Sequence, residues 1–176
     1  FVDQAGSGTH NHVSVLDKDG KNIFACTPEA PSDTLRHGVA GLQQVSTDCM
    51  LMFAPHANSY RRFVLNAFVP LNDCWGFNNR TVAMRIPHGE PVNMRIEHRI
   101  AGADANPYLA LAAILAGILH GLERRQEPAA VGSAASAVRA PANPRIELTR
   151  RRQATSALTT SARPAPDGTN ASASAW

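Results

Sequence analysis

One stretch constrains this chain more than any other. From Tyr108 to Gly121 the sequence is apolar nearly all round, and it follows Asn106-Pro107. Asn is a strong helix N-cap and Pro suits the first helical turn, so a helix starts here. The stretch falls short of the roughly 20 apolar residues that cross a bilayer, so the expected outcome is a buried helix with other elements against it. Gly117 and Gly121 stand one turn apart and allow a close approach. A helix like this needs a core, and 176 residues are enough for one ordinary domain.

Charge divides the chain in two. Residues 1–122 hold 9 Lys or Arg and 10 Asp or Glu, and all seven His. Residues 123–176 hold 8 Arg and 4 acids among Ala, Ser, Pro and Thr, with Leu, Ile and Val sparse and without period. That tail cannot bury enough apolar area to offset its ordering entropy, and a disordered tail is expected. Its arginines form no dense block and no aromatics interleave with them, so no nucleic-acid partner is expected. Cys26, Cys49 and Cys74 include no CxxC pair, which excludes a disulfide framework and a zinc knuckle. Phe1-Val2-Asp3-Gln4 carries neither a basic nor an apolar leader region. No signal peptide, no membrane contact and a cytoplasmic location are therefore expected, with the chain starting partway through a gene product.

Thr9 to Leu16 reads as a strand, with His10, His12 and Ser14 on one face by the period of two. Asp17 to Gly20 reads as a turn, and Asn22 to Ala25 as a short returning strand. Ser32 caps a helix whose stripe is Leu35, Val39, Leu42, Val45 and Cys49. Residues 58–79 read as a long loop, a length usually reserved for function. Thr81–Ile86 and Met94–Ile100 read as strands; in the second, Arg95, Glu97 and Arg99 share one face.

Three groups of side chains carry chemistry. His10 and His12 on one face suit a metal or a phosphate, or are ordinary histidines. Glu97 between two arginines should stay ionised and can hold a hard cation, or form part of an ion-pair ladder. Arg61, Arg62, Arg80, Arg85, Arg95 and Arg99 are six of the nine basic residues before position 123. Guanidinium forks match carboxylate and phosphate, so an anionic substrate is expected.

Four ordered strings are familiar as a set: Gly6-Ser7-Gly8-Thr9-His10-Asn11-His12-Val13-Ser14, Asn58-Ser59-Tyr60-Arg61-Arg62, Asn79-Arg80-Thr81-Val82-Ala83-Met84-Arg85-Ile86-Pro87, and Arg95-Ile96-Glu97-His98-Arg99 running on to Asn106-Pro107-Tyr108. Over residues 1–122 the chain resembles the C-terminal part of the glutamine synthetase catalytic domain. Within that family it looks most like the γ-glutamyl-amine ligases. The resemblance implies an α+β fold, a curved antiparallel sheet with flanking helices, present here in part. It implies transfer of phosphate from ATP to the γ-carboxylate of glutamate, then attack by an amine. It further implies His10 and Glu97 as ligands of Mg2+ or Mn2+, and His12 and Ser14 at ATP. Gly6, Arg62 and Arg99 would hold glutamate, and Arg80 and Arg85 would neutralise the phosphates during transfer. The family assembles as rings.

The departures also carry expectations. Ammonia-using members carry Glu in a flap where this chain has Phe68, within Leu65-Asn66-Ala67-Phe68-Val69-Pro70. Phe cannot bind ammonium by charge, so a larger primary amine is the expected acceptor. Glutamine synthesis with Phe68 tolerated, and a relative without turnover, are the rival readings. Ala5 replaces the family's usual Asn. The N-terminal domain and the strands with the other metal-binding Glu residues are missing, so the chain alone is expected to be inactive and to expose apolar helix surface. The sequence after residue 122 departs from the family's helices, as a shifted reading frame would produce.

Overall fold

The computed structural model describes residues 6–64, 67–129 and 131. Most of the expected tail, residue 5 and part of the Phe68 string lie outside them. The fold is α+β, as expected, with four short strands and three α-helices among the described residues.

The first strand, β1 (Asn11–Val13), is shorter than the expected Thr9–Leu16. Beyond it the chain turns back through Asp17, whose Oδ1 accepts from the backbone N–H groups of Asp19 and Lys21. Gly20 supplies the left-handed residue of that turn, with φ +77°. The return makes a single bridge, Leu16 to Asn22, instead of the expected strand. Asn22 is diverted: its side-chain amide donates to the carbonyls of Val92 and Met94.

Helix α1 (Asp33–Ser46) starts where the sequence places it, with the Ser32 hydroxyl accepting from the N–H of Leu35. Leu35, Val39 and Leu42 are fully buried. The stripe does not continue to Cys49 in one helix; Cys49 caps a separate turn, α2 (Met50–Phe53). Residues 58–79 are not all loop. A 3-10 turn covers Ala57–Arg62, and β2 (Trp75–Phe77) lies near the end. With a central Gly76 and no alternation, β2 exists only because it pairs with β3 (Met84–Ile86). β4 (Ile96–His98) completes a sheet of order β1-β4-β3-β2. The pairs β1–β4 and β3–β4 are antiparallel, and β2 runs parallel to β3.

Helix α3 (Pro107–Arg124) is capped by Asn106, whose side chain accepts from the N–H groups of Tyr108 and Leu109. It packs on α1 through glycine: a Cβ on Gly41 would stand 2.1 Å from the Gly117 carbonyl oxygen. The expectation of a buried helix holds for one face only. Ala110, Ala113, Ile114, Gly117, Ile118 and Gly121 are buried. Tyr108, Leu111, Leu115 and Leu119 are exposed, because the described residues cover α3 from one side. After Arg125 in the left-handed region, residues 126–129 fold back on the body. Gln126 meets His37 and Gln44, Glu127 pairs with Arg36, and the Trp75 indole N–H donates to Ala129.

The sheet separates two environments. Ile96, on one face of β4, meets α1 at Gly38 and is fully buried in the core. Glu97 and Arg99 point to the opposite face, as the alternation requires.

A candidate active site built around Glu97

Glu97 is 2% exposed, and everything nearby is arranged to keep it charged. The β3–β4 register sets Arg85 directly opposite it, and Arg85 Nη1 donates to Glu97 Oε2 at 2.6 Å. Two residues along the same face, Arg99 Nη1 donates to Oε1 at 2.6 Å. Burial by itself would raise this carboxyl's pKa. The hydrogen bonds and charges of Arg85 and Arg99 outweigh burial and hold it below the usual range. The ladder reading and the site reading of this strand therefore describe one cluster. Arg95 stands apart, with Nε donating to His12 Nδ1.

His10 meets Glu97 from the end of β1, Nδ1 to Oε1 at 3.2 Å. Burial and then the charge of Arg99 lower its pKa, against the pull of Glu97. It is neutral at pH 7 and keeps a nitrogen lone pair for a cation. The N···O spacing is one that two neighbouring ligands of a single metal ion can keep; the carboxylate suits Mg2+ or Mn2+, and the imidazole nitrogen is the donor of the pair that such hard cations favour less. Among the described residues no third His, Cys, Asp or Glu joins them in a metal-binding group.

A cavity of about 410 Å3 opens beside this pair. Its wall includes Gly6, His10, Arg62, Phe68, Arg80, Arg85, Glu97 and Arg99, all singled out in the sequence, together with Gly8, Ala67 and Val69. His12 and Ser14 are not in the wall; they lie farther along the exposed side of β1 and after it, and the Ser14 hydroxyl donates to the Met94 carbonyl at 3.4 Å. Arg62 is 8% exposed, and its Nε and Nη2 are buried without hydrogen-bond partners. Burial lowers its pKa to about 10, opposed by Asp104, with Arg99 adding to the depression. It is still a cation at neutral pH, and it forms part of the cavity wall.

One contributor, Asp104, carries no signal in the sequence, and Gly6 has a role beyond the one the resemblance implies. Asp104 accepts from the Ser59 hydroxyl and offsets the charge of Arg62. Gly6 gives Arg62 its room: a Cβ there would stand 2.3 Å from the Arg62 Cβ. Nothing in the spacing of these residues announces either contact. Cys49 and Cys74 are free, and burial raises both thiols, which argues against a thiolate nucleophile.

His98, behind Glu97, is fully buried against the Phe53 ring, with centroids 4.5 Å apart. Neither ring nitrogen has a partner. Burial, then the charge of Arg62, lowers its pKa to about 3 from 6.5. The unfolded chain therefore takes up a proton before the folded one does. Stability from this group is complete above pH 6.5 and is lost as pH falls towards 3. At pH 5 the loss is about 2 kcal/mol relative to pH 7. Urea unfolding at both pH values should show a smaller difference in His98→Leu than in the wild type. An equal difference in both proteins would contradict the buried neutral ring.

The sequence profile of the glutamine synthetase catalytic domain matches residues 1–160, past the point where the resemblance was read to stop. The chain is 48% identical over 123 residues to γ-glutamylputrescine synthetase of Escherichia coli (strain K12), covering 70% of this chain and 26% of that protein. It is 43% identical to γ-glutamylethanolamide synthetase of Streptomyces coelicolor, covering 69% and 26%. It is 37% identical to glutamate–isopropylamine ligase of a Pseudomonas species, covering 70% and 28%. The chain thus spans about a quarter of the length of these relatives. No helix among the described residues is long and apolar enough to cross a membrane.

Proposed function

The chain belongs to the glutamine synthetase catalytic-domain family, a family of ligases, and from that premise we propose that its cavity is one wall of a glutamate–amine ligase site. The reaction is ATP-dependent and joins a primary amine to the γ-carboxylate of glutamate through a γ-glutamyl phosphate. One observation carries the reading: His10, Arg62, Arg80, Arg85, Glu97 and Arg99, spread over some 90 positions, converge on one cavity.

In this reading Arg62, with the Gly6 backbone, holds a carboxylate of glutamate, and the free Nε of Arg99 adds one donor. Arg80 and Arg85 face the charge that develops on a transferring phosphoryl group. His12 and Ser14, outside the cavity on the β1 side, are left for the nucleotide. His10 and Glu97 hold Mg2+ or Mn2+, which would neutralise phosphate charge when bound. Further metal ligands and the rest of the site belong to parts of the longer ligase that this chain does not span, as does ring assembly.

Phe68 in the cavity wall favours an amine over ammonia, since an aromatic ring offers an apolar contact and no carboxylate. The two relatives at 48% and 43% identity, named as γ-glutamylputrescine and γ-glutamylethanolamide synthetases, support this choice over glutamine synthesis. Residues 6–122 grafted into the matching segment of the Escherichia coli relative should give phosphate release from ATP only with glutamate and a primary amine present. A folded chimera without amine-dependent release, or with ammonia as its best acceptor, overturns the reading. Phe68→Glu in that chimera should move the preference towards ammonia at least tenfold.

A further inference from the structure

We propose that Asn78 is a positioning residue for Arg85: the Asn78 side-chain oxygen and Glu97 hold the two ends of the Arg85 fork and so fix its plane in the cavity wall. Arg85 Nη1 donates to Glu97 Oε2 and Arg85 Nη2 donates to Asn78 Oδ1, both at 2.6 Å. The first bond ties the fork to β4, and the second ties it to the residue that follows β2. Turning the fork about its Nε–Cζ bond has to break both bonds at once. Each terminal nitrogen of a guanidinium carries two N–H groups, so this grip uses one on each and leaves one on each. The side chain is thereby fixed without spending its whole donor capacity.

The main chain at Asn78 supports the grip independently. Its φ is +49°, in the left-handed region that glycine enters freely and that Asn and Asp enter at lower cost than other residues. Its N–H donates to the Ile86 carbonyl at 2.8 Å. Asn78 is therefore bonded to β3 twice, by its main chain at Ile86 and by its side chain at Arg85. Asn79 next to it behaves differently. Its Oδ1 accepts from the N–H and the hydroxyl of Thr81, two residues on, which serves only its own turn. Among residues that suit a left-handed backbone, glycine has no acceptor. Asp would bring a second carboxylate to a fork already paired with Glu97 and would add negative charge beside the cavity. Asn supplies an acceptor and no charge. In the ligase reading, on which this consequence rests, Arg85 faces a transferring phosphoryl group. A donor already held in place needs no reorganisation as that charge develops, so Asn78 acts on turnover rather than on glutamate binding. The grip itself does not depend on that reading.

The test separates the acceptor from the backbone. Asn78→Gly keeps the left-handed conformation and removes the side-chain oxygen; Asn78→Asp keeps both. In 15N spectra of the 176-residue chain, Arg85 should show separate Nη1 and Nη2 resonances in the wild type and in Asn78→Asp. Rotation about Nε–Cζ, read from their exchange, should be at least tenfold faster in Asn78→Gly. Averaged Arg85 resonances in the wild type, or equal rotation rates in the wild type and Asn78→Gly, overturn the grip. In the chimera, Asn78→Gly should lower kcat at least tenfold, with the KM for glutamate within threefold of the parent's. An unchanged kcat, or a KM for glutamate that rises as much as kcat falls, overturns the positioning role. A chimera without amine-dependent turnover defeats the ligase reading, and the spectra of the 176-residue chain still decide the grip, so the two failures are told apart.

Discussion

Gly41→Ala is expected to unfold this protein or to cost it about 3 kcal/mol or more, the upper range for an overpacked core. The physical reason is contact between two main chains. A Cβ on Gly41 would stand 2.1 Å from the Gly117 carbonyl oxygen and 2.6 Å from the Gly121 nitrogen. A Cβ on Gly121 would stand 2.0 Å from the His37 carbonyl oxygen. These atoms belong to helix backbones and cannot rotate aside as a flexible side chain can. Separating α1 from α3 would open the core around Leu42, Ile114 and Ile118, all at most 2% exposed. Gly38→Ala is the internal control. Its nearest neighbours are the side chains of Ile96 and Phe24 at 3.4 Å. There the tighter contact opposes the roughly 1 kcal/mol of helix propensity gained over glycine, and a change within about 1 kcal/mol is expected. Urea unfolding followed by far-ultraviolet circular dichroism measures both. Equal midpoints for Gly41→Ala and wild type would show that the helices do not meet at these glycines.

Glu97→Gln should destabilise the fold by about 3–5 kcal/mol, the usual cost of removing one partner from a buried ion pair. The isosteric amide keeps the volume and removes the charge that Arg85 and Arg99 share at 2.6 Å each. The same variant should alter the response to acid. The carboxyl of Glu97 is held below its ordinary value of 4.5 in the folded chain, so the unfolded chain protonates first. The stability this group contributes is complete well above pH 4.5 and is lost as pH falls through the lower folded value. Glu97→Gln removes that component of acid sensitivity and leaves the one from His98, which begins higher, near pH 6.5. Unfolding midpoints between pH 7 and pH 3 separate the two. A wild-type and a variant curve that stay parallel below pH 4.5 would rule out an ionised, doubly paired Glu97.

Much of the site was legible because its residues carry strong local patterns. The Glu97 face of β4 follows from alternation, and Arg99 bonds to Glu97 as that face implied, but the second arginine is Arg85 from β3 and not Arg95. The Ser32 and Asn106 caps were legible for a related reason: each side chain bonds to a backbone N–H within three residues of itself. Other features depend on partners far along the chain. β2 carries no strand signal of its own and is formed by its pairing with Met84–Ile86. Asp104 meets Ser59 across 45 positions. Gly41 carries no mark in the sequence, although it was clear that Gly117 and Gly121 would accept something close.

The amino-acid sequence by itself determined the helix starts, the alternation that sends Glu97 and Ile96 to opposite faces, and the set of residues able to bind anions and cations. These are properties of neighbours a few bonds apart, where backbone geometry sets the outcome. Tertiary structure alone decided the parallel pairing of β2, the glycine contact between α1 and α3, and the different hydrogen-bond partners of Arg62 and Arg99. The two arginines differ in which acceptors the folded chain brings to them. Such differences come from desolvation and hydrogen bonding across the fold, which no local stretch of sequence encodes.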